Sequence, residues 1–238
     1  MGIPILNQTL QAAIDAGDVS EATAHTLASA SAPTSYQLGV KAEDIKTPKV
    51  TLCAVLLDDS GSMSGQHGLV IDALNERLIK PLRSQQSRNE ILLAITSMWH
   101  GVLLPFTKIS AVEQFDGNLF KPDGENTPLH RSVKDTLRLL VEKQTELALE
   151  AIGGRICYLT YTDGGENCRD VDLMELKKTI QDIDSKKANA LYGIACGSAA
   201  KSALQEMGYK RITDANDPVA LAEAFNQFSR ATSAVANE

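Results

Sequence analysis

The feature that most limits how this chain can fold is the run Val50-Thr51-Leu52-Cys53-Ala54-Val55-Leu56-Leu57, which stops abruptly at Asp58-Asp59-Ser60-Gly61-Ser62. A strand with one wet face alternates apolar and polar residues. A continuous apolar run with β-branched members reads instead as a strand covered on both faces, as in a parallel sheet sandwiched by helices. The run has strand length and falls far short of the roughly 20 residues that a membrane-spanning helix needs.

The chain after this run repeats the same grammar. Glu90 to Trp99, Arg155 to Thr162, Ala190 to Cys196 and Lys210 to Thr213 are strand-like, and Val102 to Phe106 follows Gly101 as a hairpin partner or edge strand. Helical spacing fills the intervals: Leu69 to Arg83, Thr127 to Ala151, Val171 to Lys186, and Ser198 to Met207, which Gly208 stops. A last helix opens at Asp217-Pro218, with Asp as N-cap and Pro in the first turn, and carries Leu221, Ala224, Phe225 and Phe228. Strands alternating with helices predict an α/β fold with a doubly wound, mostly parallel sheet, its crossovers right-handed and its helices on both faces. Aromatic residues are only 5% of the chain, so the core rests on Leu, Ile, Val and Ala.

Three segments follow from this pattern. Residues 1–47 form an N-terminal helical extension and linker, 48–232 the layered unit, and 233–238 a C-terminal tail. In the extension, Ile5, Leu6, Leu10, Ala13 and Ile14 share one helical face and Val19, Ala22, Ala24 and Leu27 another, with Gly17-Asp18 between them. This hairpin either caps the sheet's own helices or offers a second surface for docking or self-association.

Charge and cysteine usage narrow the partners. A net charge of −7 argues against nucleic acid, because phosphate binding needs a positive surface. The four cysteines, Cys53, Cys157, Cys168 and Cys196, show no C-x-x-C spacing, which argues against a zinc ribbon or a thioredoxin-like site. They are expected as free thiols, mostly buried, which suits a cytoplasmic protein. Residues 1–30 lack the basic start and apolar core of a secretory signal, and no membrane segment is expected.

In a doubly wound sheet, ligands bind beyond the carboxyl ends of the strands. Three motifs stand there. The first is D-x-S-x-S at Asp58, Ser60 and Ser62, directly after the first core strand. The second is Thr127, ahead of the long helix in Glu125-Asn126-Thr127-Pro128. The third is Asp163, in Tyr161-Thr162-Asp163-Gly164. Two carboxylates and three hydroxyls make an all-oxygen set, which favours Mg²⁺, with Mn²⁺ or Ca²⁺ as substitutes, over soft metals. Few charged ligands leave the ion electrophilic, so a carboxylate from outside can complete its shell. Asp59 is expected to face away from the crevice as a loop residue. His67 and His130 are read as loop or helix-surface residues, His100 is given no role, and Glu125 is a solvated loop acid.

The three motifs in this order resemble the metal-ion-dependent adhesion site (MIDAS) of von Willebrand factor A (vWA) domains. The resemblance covers residues 48–232 and is nearest to bacterial intracellular members. It implies a Rossmann-like sheet with the ion at its top. It also implies direct coordination by Ser60 and Ser62, and coordination by Thr127, Asp58 and Asp163 that is direct or through water according to state. The family's usual Gly-Gly ahead of the threonine is replaced by Glu125-Asn126, and its L-T-D-G by Tyr161-Thr162-Asp163-Gly164. These departures alter loop geometry but not ligand type.

The expected activity is metal-dependent binding of a protein that offers an Asp or Glu carboxylate. By resemblance, that partner belongs to an intracellular assembly such as an AAA+ ATPase or a stress or defence system. The alternative is a Mg²⁺-dependent phosphohydrolase on the same topology. Against it, the motifs supply no catalytic residue: there is no nucleophile with a paired general acid, no lysine clamp and no G-x-x-x-x-G-K loop. Residues 61–65, Gly-Ser-Met-Ser-Gly, are not the G-x-S-x-G elbow of hydrolases.

Overall fold

The computed structural model describes residues 7–85, 87–168, 170–186 and 189–238. Strand β1 (Lys49–Leu57) is the axis of the molecule, and every residue from Val50 to Leu57 is buried. Its alternate residues serve two cores. Val50, Leu52, Ala54 and Leu56 face one helical layer, while Cys53, Val55 and Leu57 face the other. That division is why the run carries no polar alternation.

Six strands form one sheet in the order β3-β2-β1-β4-β5-β6. They are β2 (Glu90–Ser97), β3 (Gly101–Lys108), β4 (Gly153–Thr162), β5 (Ala190–Ala195) and β6 (Arg211–Asp214). All neighbours are parallel except β2 and β3, which form an antiparallel hairpin. The turn at Gly101 needs φ of 71°, which only glycine adopts without strain. Strand β3 lies at the edge and extends past the expected Phe106 to Lys108. It tolerates Pro105 because an edge strand leaves one row of backbone groups without partners.

Helices α1 (Gln8–Asp15), α2 (Glu21–Ala28), α3 (Ser35–Leu38), α6 (Leu129–Leu149), α7 (Leu173–Ser185) and α8 (Ser198–Glu206) lie on one side. Helices α4 (His67–Asp72), α5 (Lys80–Ser84) and α9 (Pro218–Asn237) cover the other. Between α4 and α5 the chain winds as a π-helix over Ala73–Ile79, where the sequence predicts one regular helix. Pro81 offers a reason: it lacks an N–H, and its ring crowds the carbonyl four residues earlier, so a wider turn relieves the clash. Residues 233–237 are not a tail. Helix α9 continues through them, with Ser233 and Ala236 buried and the Ala236 carbonyl accepting from Asn89 N–H at 3.1 Å.

The N-terminal hairpin packs on the sheet's own helices. Leu10, Ala13, Ala24 and Leu27 enter the core of the α6 layer; of the residues expected on the first face, Ile5 and Leu6 lie outside the described residues. Asn7 caps α1 and also donates to Glu142 on α6 at 3.2 Å, while Ser20 N–H donates to Asp182 on α7 at 2.7 Å. Underneath, Arg138 pairs with Glu142 at 2.8 Å and donates to the carbonyls of Ala28 and Ala30. Lys143 donates to Val40 O and Glu146, and its burial lowers its pKa. The extension thus supplies hydrogen-bond partners to the polar side of α6.

Cys53 and Cys157 are buried partners in register on β1 and β4, Cys168 and Cys196 are half-buried, and all four are free. Burial raises both buried thiols, Cys157 to about 12. No described helix is long and apolar enough to cross a membrane.

Candidate metal centre

The chain leaves β1 toward β2 on one side and reaches β4 on the other, so a crevice opens between the carboxyl ends of β1 and β4. Asp58 stands at that point. Its N–H continues the ladder to Tyr161 O at 2.9 Å, and its side chain is fully buried. One carboxylate oxygen accepts from Ser60 N–H at 3.0 Å, closing a side-chain-to-backbone turn, and the other accepts from Thr162 Oγ1 at 2.6 Å. Both bonds orient the carboxylate before anything binds it.

Residues 61–66 then wind as a 3₁₀ turn, with Met63 buried as its plug and Gly61 N–H on Gly124 O at 2.9 Å. The turn brings the two serines together, with Ser60 Oγ 3.0 Å from Ser62 Oγ. Ser62 Oγ donates to Asp163 Oδ1 at 3.0 Å across a separation of 101 residues. A hydroxyl has one proton, so Ser60 is the donor to Ser62. Asp58, Ser60, Ser62 and Asp163 therefore form one connected set.

Thr127 arrives from the loop before α6. Pro128 lies just outside the helix and Leu129 begins it, without a side-chain cap; Glu166 instead accepts from His130 N–H at 2.6 Å. Thr127 is thereby released from capping, and its hydroxyl makes no hydrogen bond among the described residues. It faces the loop after Asp163: a Cβ built on Gly164 would lie 3.4 Å from Thr127 Oγ1.

The electrostatics suit a cation. Burial raises the pKa of Asp163; the Ser62 hydrogen bond lowers it and the charge of Asp58 raises it further. No ion pair of the described residues includes Asp58 or Asp163. Two acids and two serine hydroxyls are linked, Thr127 faces the adjoining Gly164, and among the described residues no basic side chain pairs with either acid, so the donors are hard and anionic and fit a divalent ion. Among the described residues no group of three or more His, Cys, Asp and Glu gathers as a metal cluster. A bound divalent ion would neutralise the paired acids and offer a coordination place to an outside oxygen.

Several supporting residues are not evident from the motifs. Asp59 does face away from the crevice, but it is fully buried and is no free loop residue. It accepts from Trp99 N–H at 2.9 Å and meets His100 Nδ1 at 2.7 Å, while Gly124 N–H donates to its backbone carbonyl at 3.0 Å. His100 is a bridge, with Nε2 3.4 Å from Asp123. His130 is buried against Glu166 and is no surface residue, whereas His67, the first residue of α4, is half-buried and stacks on Phe120 with Nε2 within 3.1 Å of the carbonyls of Gly117 and Phe120. Glu125 is exposed as expected. Asn167 holds the Thr127 N–H at 2.7 Å. Thr162 could have been found from sequence, since in-register β1 and β4 place it opposite Asp58. Asp59, Trp99, His100 and Asn167 act through loop contacts that leave no periodic signal.

No protein-family model and no curated protein sequence matches this chain. Solved structures do. A von Willebrand factor type A structure from Catenulispora acidiphila matches 77% of this chain and 43% of its own length, at TM-score 0.54 and 17% identity. The pilus adhesin SpaC from Lactobacillus rhamnosus GG, in its open conformation, matches 79% and 30% at TM-score 0.56 and 11% identity. Proximal thread matrix protein 1 from the mussel byssus, with a zinc-occupied MIDAS motif, matches 78% and 48% at TM-score 0.50 and 14% identity. This chain spans less than half the length of each.

Proposed function

We propose that this chain, whose fold is that of the von Willebrand factor A domain, is a divalent-metal-dependent protein-binding module. Asp58, Ser60, Ser62, Thr127 and Asp163 hold the ion. The observation that carries the reading is the hydrogen-bonded chain Asp58–Ser60–Ser62–Asp163, beside which the hydroxyl of Thr127 faces Gly164. Mg²⁺ is the natural occupant of an all-oxygen set that leaves room for water, with Mn²⁺ or Ca²⁺ as substitutes. Zinc in the MIDAS of the mussel protein supports a divalent ion at such a site without fixing its identity here.

The binding step needs no proton transfer and no nucleophile from this chain. Asp58 is locked by Ser60 N–H and Thr162, so it holds charge in place rather than moving it. Asp163 and the serines would orient the ion, and the ion would supply a coordination place for a carboxylate from the partner. The family resemblance makes an AAA+ ATPase, or another component of an intracellular assembly, the first partner to try. The test is capture of partners by the immobilised full chain in Mg²⁺, eluted with EDTA, beside Asp58→Ala and Thr127→Ala. The proposal expects a partner retained in Mg²⁺, released by EDTA and missing from both variants. A partner held equally in EDTA, or Mg²⁺-dependent phosphate release by the protein, would contradict it.

A further inference from the structure

The peptide bond ahead of Thr127 is gripped at both ends. The Asn126 carbonyl accepts from the Trp99 indole N–H at 2.6 Å, and the Thr127 N–H donates to Asn167 Oδ1 at 2.7 Å. These two groups belong to one rigid planar unit. The plane cannot rotate without losing both bonds, and its orientation sets the direction in which the Thr127 side chain leaves the backbone. Neither gripping residue bears one of the five candidate donors. Trp99 lies in the β2–β3 turn and Asn167 in the loop after β4.

Trp99 is itself located from two sides. Its own N–H donates to the buried Asp59 carboxylate at 2.9 Å. Its indole lies across Gly124, where an added Cβ would come within 2.1 Å of the ring. The absence of a side chain at 124 is therefore what lets the indole reach Asn126. Asp59 follows Asp58 directly, so the end of β1 and the Thr127 loop are tied through a turn that carries no ligand.

We propose that Trp99 and Asn167 are positioning residues that aim the Thr127 hydroxyl at the ion. This rests on the reading of Thr127 as a ligand. Trp99→Phe keeps an aromatic ring beside Gly124 while removing the indole N–H and some ring volume; Asn167→Ala removes the other grip. In the full-length chain, each variant weakens Mn²⁺ binding about fivefold in calorimetric titration, the effect of one hydrogen bond of about 1 kcal/mol at about 1.4 kcal/mol per tenfold. In metal-free protein, NMR amide exchange at Thr127 quickens by a similar factor in Trp99→Phe, although its direct acceptor Asn167 is intact. The melting temperature stays within about 4 °C of the parent. A role confined to stability would lower the melting temperature and leave Mn²⁺ affinity unchanged, and that result overturns the proposal. So does unchanged Thr127 exchange in Trp99→Phe. If the parent itself binds no Mn²⁺, the ligand reading of Thr127 fails, and the exchange rates alone decide whether Trp99 grips this peptide.

Discussion

Replacing Asp59 by alanine should destabilise this protein strongly, because Asp59 is buried as a structural tie. Its carboxylate engages Trp99 N–H at 2.9 Å and His100 Nδ1 at 2.7 Å while fully removed from solvent. A hydrogen bond to a charged group contributes about 1.5–3 kcal/mol, and an orphaned buried N–H costs about 1–3 kcal/mol. The His100 side chain is 37% exposed and regains water, so its share is small and the Trp99 amide carries most of the loss. The expected destabilisation is about 3 kcal/mol, a fall of about 6–12 °C in melting temperature for a chain of this size. Asp59→Asn separates charge from geometry. Its amide oxygen still accepts from Trp99 and its NH₂ can donate to a neutral His100, so the cost drops to about 1 kcal/mol. Urea unfolding with an unchanged m-value measures both. A loss below about 1 kcal/mol for alanine, or equal losses for the two variants, would refute the view of Asp59 as a buried tie.

Other outcomes follow from the same contacts. Arg138→Ala leaves Glu142 buried without its charged partner, with only Asn7 donating to it, and should cost about 3 kcal/mol, with faster proteolysis within α1 and α2; an unchanged digestion pattern would show that the extension is held by other means. Burial lowers the His130 pKa against the opposing charges of Glu166 and Glu206. With the folded value below the unfolded one, its stabilising share is present above about pH 6.5 and is lost as pH falls through the folded value. His130→Gln should therefore flatten the acid limb of the stability profile, and an identical limb would contradict this. Trp99 is the one tryptophan in the chain and is bonded beside Thr127. Its emission should change as one equivalent of Mn²⁺ is added and stay constant in Ser62→Ala; a flat titration in the parent would count against coupling between ion and indole.

The architecture was readable where periodicity carried it. The unbroken run at 50–57 announced a strand covered on both faces, and the rule for strand ends then pointed to Asp58 and Asp163. Both follow strands that are neighbours in the sheet, which is what lets Ser62 join them. Residues that act through a single tertiary contact were not readable. Nothing around Asp59 marks it as buried, because its partners sit 40 and 41 residues away in a turn. His130 has the spacing of a helix surface, yet the loop after β4 folds over it. The widened turn before Pro81 and the continuation of α9 to Asn237 depend on local strain and on packing against Arg88 and Asn89, and neither shows in apolar spacing.

The most direct test is the anomalous difference map of a crystal grown or soaked with Mn²⁺. One strong peak per chain is expected in the crevice between β1 and β4, at coordination distance from the hydroxyls of Ser60 and Ser62, with Thr127, Asp58 and Asp163 bound directly or through water. No peak there at saturating Mn²⁺, or a peak whose nearest ligands lie elsewhere on the surface, would contradict it.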